Sequence, residues 1–246
     1  MKRWAVLTLW LLLSPVLSNP SPGQEDSPEK PAPDEEKTEV SEQQAAPARS
    51  PMPIYIEPFY HFEGLRISTG TFDEDLMDAT KDTILALSVR MREQVDVLPV
   101  ETMYVMSIRL YDLKHKDEAT YWFYSAQFRA LQLAKGQEIH GPSRARIGSE
   151  EFERIHAHSA FRQLAGEYIN GHAFVDLKHL KDTIRLVQKE GMATTFRSDL
   201  AYPDGGMRVY PPKFVSGRFD KLLEYIETNE AKILELRKKN RMDEKY

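Results

Sequence analysis

The sequence predicts a mainly α-helical domain, a bundle of about six helices with one small β-hairpin, and three observations lead there. Apolar residues recur at intervals of three and four along much of residues 72–240, a spacing that gathers them on one face of a helix. Residues suited to helix ends, Asp117 and Asp176 before and Gly136, Gly171 and Gly191 after, bracket several of these stripes. Met192 to Ser216 lacks the helical period and holds Pro203, Asp204 and Gly205, tight-turn residues, between two short extended runs.

Each element follows from its own residues. Ile54 to Thr71 contains Pro58 and alternating apolar positions at Phe62, Leu65 and Ile67, which suggests a short strand or an extended lead-in. Leu76, Ile84, Leu87 and Met91 mark a first helix from about Phe72 to Gln94. Pro99 opens a second, to about Leu113, because a first turn tolerates proline. Asp117 caps a third that closes at Gly136. Ala157, Ala160, Phe161, Leu164, Ala165 and Tyr168 share one face of a fourth, stopping at Asn170 and Gly171. Leu177, Leu180, Ile184 and Val187 line a fifth, capped by Asp176 and closed by Gly191. Phe219, Leu222, Leu223, Ile226, Ile233 and Leu236 form the last stripe, and Arg237 to Lys239 place positive charge at its dipole-negative end.

Ahead of these helices the composition changes twice. Lys2 and Arg3 precede an apolar run, Trp4 to Leu13 with Val16 and Leu17, that reads as a signal peptide over residues 1–18, cleaved after Ser18. The run is shorter than the roughly 20 residues that span a bilayer, so stable membrane insertion after signal removal is not expected. Residues 19–53 hold eight prolines, eight acidic and three basic residues, too little apolar surface to offset the entropy of ordering. They read as a disordered acidic tether, leaving residues 54–246 as a single helical domain.

The chain has no cysteine, so it holds neither disulfides nor cysteine–metal sites. An exported domain without disulfides suits a periplasm, and the expected location is periplasmic or secreted. Losing Lys2 and Arg3 takes the formal charge from -5 to -7, of which the tether carries -5, leaving -2 on residues 54–246. That balance excludes a nucleic-acid binder.

Ser107 in the second helix, with Ala119, Phe123 and Ala126 in the third, occupy the small and aromatic positions of a helix pair that resembles one degenerate tetratricopeptide or Sel-type repeat over residues 101–135. Met103, Leu110 and Leu131 stand where the repeat has tryptophan, tyrosine and proline, and no second copy follows. The resemblance implies protein binding.

Catalytic signatures are absent. No serine sits in a G-x-S-x-G elbow, and Glu150 and Glu151 read as charges at a helix start. His172, Asp176 and His179 share a helical face at i, i+4 and i+7, a set zinc accepts, but Asp176 serves better as a cap, so neither metal nor cofactor is expected.

The 25-residue connection Met192–Ser216 is long for two packed helices, and loops of that length are commonly functional. Phe196, Arg197, Tyr202, Arg208, Tyr210 and Phe214 are the residue types that dominate binding hot spots, and they form the candidate partner site. The opposing expectation is a hairpin that tucks its aromatics onto the core. The function read from these residues is non-enzymatic protein binding in the cell envelope. An immunity or inhibitor protein directed at an envelope toxin or hydrolase, and a carboxylate-dependent hydrolase, are the alternatives.

Overall fold

A computed structural model of the chain describes residues 70–139, 149–203 and 207–246. The expected signal peptide and tether lie outside the described residues, as does the extended lead-in except for Gly70 and Thr71, which begin a 3-10 turn, Gly70–Phe72.

Among the described residues nine α-helices run in order: α1 (Asp73–Asp78), α2 (Ile84–Glu93), α3 (Val100–Asp112), α4 (Lys116–Ile139), α5 (Glu150–Ala173), α6 (Leu177–Ala193), α7 (Ser198–Ala201), α8 (Pro212–Lys239) and α9 (Met242–Lys245). Six of them are ten residues or longer, the number the apolar stripes imply. Helix α4 is the axis, packing against α3, α5, α6 and α8. Its Ala119, Trp122, Phe123 and Ala126 are fully buried, as is Ser107 on α3, so the small side chains lie within the α3–α4 pair. No helix among the described residues is long and apolar enough to cross a membrane.

The β-hairpin does not form, and there is no strand among the described residues. Within the connection, residues 198–201 instead make the short helix α7, and residues 207–211 belong to no helix or strand. The backbone partners of this segment lie on helices: Arg197 N–H donates to Asp96 O (2.8 Å) and Tyr210 N–H to Gln132 O (3.0 Å). A segment whose polar groups are already paired with the bundle gains nothing from pairing with itself. Asp204 and Gly205, the turn residues, lie outside the described residues.

The single helix expected from Phe72 to Gln94 is two. Arg109, from α3, donates to the carbonyls of Leu76 (3.0 Å) and Ala79 (2.8 Å), giving the end of α1 the partners a continuing helix would have supplied. The chain restarts where Ile84 N–H reaches Thr80 O (3.0 Å).

Three glycines and one aspartate play other parts than the expected ones. Helix α4 continues past Gly136 to Ile139. Gly171 lies inside α5, where a Cβ would meet the Tyr246 ring at 2.4 Å, and Gly191 lies inside α6, where a Cβ would meet Phe128 at 2.6 Å. Both glycines are flat seats for an aromatic ring. Asp117 is the second residue of α4 and binds His172 (2.8 Å) rather than capping. Asp176 does cap α6, accepting from His179 N–H (2.9 Å), and Leu177, Leu180, Ile184 and Val187 are all buried. Lys114, with φ of 73°, ends α3 in the left-handed conformation usually given to glycine, as His115 N–H returns to Leu110 O (2.8 Å).

Candidate functional site

The six candidate residues divide into an inward and an outward group. Phe196 (8 % exposed) and Tyr202 (3 %) belong to the core, their rings edge-to-face at 6.4 Å. The Arg129 guanidinium lies 4.2 Å above Phe196 and donates to the Val95 carbonyl, so this buried cation is satisfied by a ring face and a turn. Burial lowers Arg129 to about 10 against the opposing pull of Tyr202 and Asp96, and it stays charged at neutral pH. Arg197 is exposed and holds Asp96 at 2.9 Å. These contacts clamp residues 196–202 onto the turn before α3.

Tyr202 completes a buried polar cluster that the sequence reading missed. Pro99, the N-cap residue of α3, offers no side-chain cap, and the Tyr202 hydroxyl replaces one by accepting from Val100 N–H (2.9 Å). The same hydroxyl donates to Glu101 Oε2 (3.0 Å). Glu101 Oε1 receives Arg154 Nη1 (3.2 Å), and His158 Nε2 stands 3.0 Å from the same oxygen. Burial pushes the Glu101 carboxyl up, but the fields of His158 and Arg154 and its hydrogen bonds outweigh that, bringing it down to about 2. An acid held this firmly ionised cannot deliver a proton near neutral pH, so Glu101 gives the hydrolase alternative no general acid.

The cluster had a signal. Nearly every position of α3 from Val100 to Tyr104 is buried, so a glutamate there must find its counter-charge inside the bundle. Arg154 and His158, spaced i and i+4 on α5, share the face that supplies it.

The outward group is Arg208, Tyr210 and Phe214. Tyr210 is half-buried and pinned at both backbone groups, its N–H to Gln132 O (3.0 Å) and its carbonyl from Gln132 Nε2 (3.2 Å). Its ring stacks on Phe214 at 4.8 Å, and Phe214 is 53 % exposed with Lys213 Nζ 4.9 Å over its face. Arg208 is exposed between them and the buried Met207. Leu200 and Met192 add two exposed apolar side chains to the same connection.

His172, Asp176 and His179 do not come together. Asp176 is used at its cap, and Asp117 takes its place, 2.8 Å from His172 and 3.9 Å from His179. Among the described residues no group of three or more His, Asp or Glu has metal-holding geometry. Comparison of the chain with protein-family models, curated proteins and solved structures returns no match.

Proposed function

We propose that the protein is exported and acts by binding another protein through the outward face of residues 207–216. The observation that carries the reading is the stacked Tyr210–Phe214 pair, held from behind by Gln132 of the central helix while Phe214 stays open to solvent. A large aromatic fixed in place before binding loses little conformational entropy on contact, which is what makes aromatic anchors dominate interfaces. Arg208 and Lys213 beside it supply the cationic rim. The resemblance of the α3–α4 pair to one tetratricopeptide repeat points to the same class of activity. The signal-like residues 1–18 and the acidic tether would place the domain in the periplasm or outside the cell, held away from its neighbours.

The test uses tagged protein and envelope extract, comparing capture by the natural chain with capture by the double variant Arg208→Ala, Phe214→Ala. The reading expects one protein to be captured by the former and lost with the latter, at an unchanged unfolding midpoint. Capture retained by the double variant overturns it.

A further inference from the structure

Helix α9 and the Tyr246 that follows it fold back onto α5, where a slot closes around one ring. Glu167, Tyr168 and Gly171 build it from one side of α5, Gly171 standing one helical turn beyond Glu167. The floor is the buried Gly171, whose missing side chain leaves the room that the Tyr246 ring takes. Tyr168 stands edge-on to that ring at 6.1 Å, and Tyr111 edge-on to Tyr168 at 6.3 Å, so one wall is aromatic. The Tyr246 hydroxyl donates to Glu167 Oε1 (2.9 Å), and Lys116 Nζ donates to the Tyr246 carbonyl. Ring, hydroxyl and backbone are each met by a different group, so the slot distinguishes a tyrosine within a peptide from other aromatic groups.

The occupant is held by little more than these contacts. No residue of α9 is buried, and the Lys245–Glu167 pair (2.7 Å) is more than half exposed at both ends. Ordering the backbone of one residue costs more than an exposed ion pair returns. Arg241, at the turn into α9, adopts the left-handed conformation with φ of 51°, which disfavours the closed turn for a residue with a side chain. The slot, by contrast, belongs to the bundle. Tyr111 is a core residue, and the buried Arg237 fixes the Gly171 carbonyl at 2.8 Å from α8. Withdrawal of α9 therefore leaves the slot built and empty.

We propose that the Gly171 slot is a binding site for a tyrosine-bearing peptide segment and that α9 with Tyr246 is its plug in cis. Lys245 Nζ and the Tyr246 hydroxyl share Glu167 Oε1, so the ligand that fits carries a basic residue immediately before its tyrosine. A plug tethered beside its own slot competes at the effective concentration of an intramolecular ligand. An incoming peptide then binds with an affinity reduced to the fraction of slots that stand open. The site shares no residue with the Tyr210–Phe214 pair and does not depend on it.

The test is fluorescence anisotropy of a dye-labelled, amidated peptide with the sequence of residues 242–246, Met-Asp-Glu-Lys-Tyr, titrated with the full chain and its variants. Tyr246→Ala removes the plug's ring and should bind the peptide saturably, about tenfold tighter than the natural chain does, as a slot closed nine-tenths of the time requires. Replacing the peptide's tyrosine by alanine should abolish binding. Adding Gly171→Ala to Tyr246→Ala fills the floor and should weaken the peptide several-fold. Should that double variant fail to fold, Glu167→Ala on the same Tyr246→Ala chain, which removes the acceptor of the hydroxyl, decides instead. No saturable binding to Tyr246→Ala overturns the proposal. So does equal affinity for Tyr246→Ala and the natural chain, or affinity unchanged by the slot substitution.

Discussion

The two halves of the connection between α6 and α8 use the same residue types for opposite ends. In the first half, Phe196 and Tyr202 turn inward, Phe196 under Arg129 of α4 and Tyr202 against Val100 at the start of α3, while the exposed Arg197 ties the segment to Asp96 in the turn before α3. In the second half, Tyr210 and Phe214 turn outward from a backbone pinned to Gln132. Aromatic and arginine content alone does not distinguish an anchor from a docking surface. What separates them is the availability of buried groups in need of a partner: Val100 N–H, the Glu101 carboxylate and Arg129 draw in the first half, and nothing comparable draws in Phe214.

The largest expected effect lies at the inner end. Glu101→Ala removes the carboxylate that faces Arg154 and His158 and that accepts from the Tyr202 hydroxyl, and breaking a buried charge cluster by removing one partner costs about 3–5 kcal/mol. Urea unfolding reads the loss directly. A loss under about 1 kcal/mol would remove the reason for the first half to fold inward.

Acid should dissolve the same anchor. The Glu101 carboxyl sits at about 2 in the folded chain against roughly 4.3 when unfolded, so its contribution is complete above the unfolded value and disappears as pH falls from about 5 towards 2. The shift corresponds to roughly 3 kcal/mol. The urea midpoint of the natural chain should drop across that window more steeply than that of Glu101→Gln, which has no carboxyl to protonate. Parallel pH profiles would show that Glu101 is not held as described.

Arg197 tests the middle of the comparison. Its pair with Asp96 is half exposed, and exposed ion pairs contribute about 0–1 kcal/mol, so Arg197→Ala should cost less than either Glu101 substitution. The measurement is the same unfolding midpoint. A cost above about 2 kcal/mol would make Arg197 part of the anchor core rather than its rim.

The long helices were legible because burying one face of a helix imposes a period of its own; Leu177, Leu180, Ile184 and Val187 show this without ambiguity. What was not legible was every feature decided by a partner distant in sequence. Gly171 and Gly191 look like helix ends, since glycine serves both a C-cap and a close approach, and only Tyr246 and Phe128 choose between them. Turn chemistry at Pro203–Gly205 suggested a hairpin, but Asp96 and Gln132 take the backbone groups that flanking strands would have shared. Of the candidate site, the segment was legible and its division was not. Tyr202 became an anchor through Val100 and Glu101, about a hundred residues away, and no local pattern encodes that contact. The Arg154–His158 pair carried a readable i, i+4 spacing, yet its meaning depended on knowing that α3 is buried on every side from Val100 to Tyr104.

The division of the connection into an anchor and a presented surface is tested most directly by unfolding free energies of Tyr202→Phe and Phe214→Ala measured side by side. Tyr202→Phe keeps the ring and removes the hydroxyl that joins Val100 N–H to Glu101, and should cost about 1–3 kcal/mol. Phe214→Ala removes a larger group, but one that is half exposed, and should cost less than about 1 kcal/mol, the scale of a single stacked aromatic pair. One atom lost from Tyr202 should thus weigh more than a whole ring lost from Phe214. The reverse order, with Phe214→Ala the more destabilising, would make the outer aromatic part of the core and contradict the account.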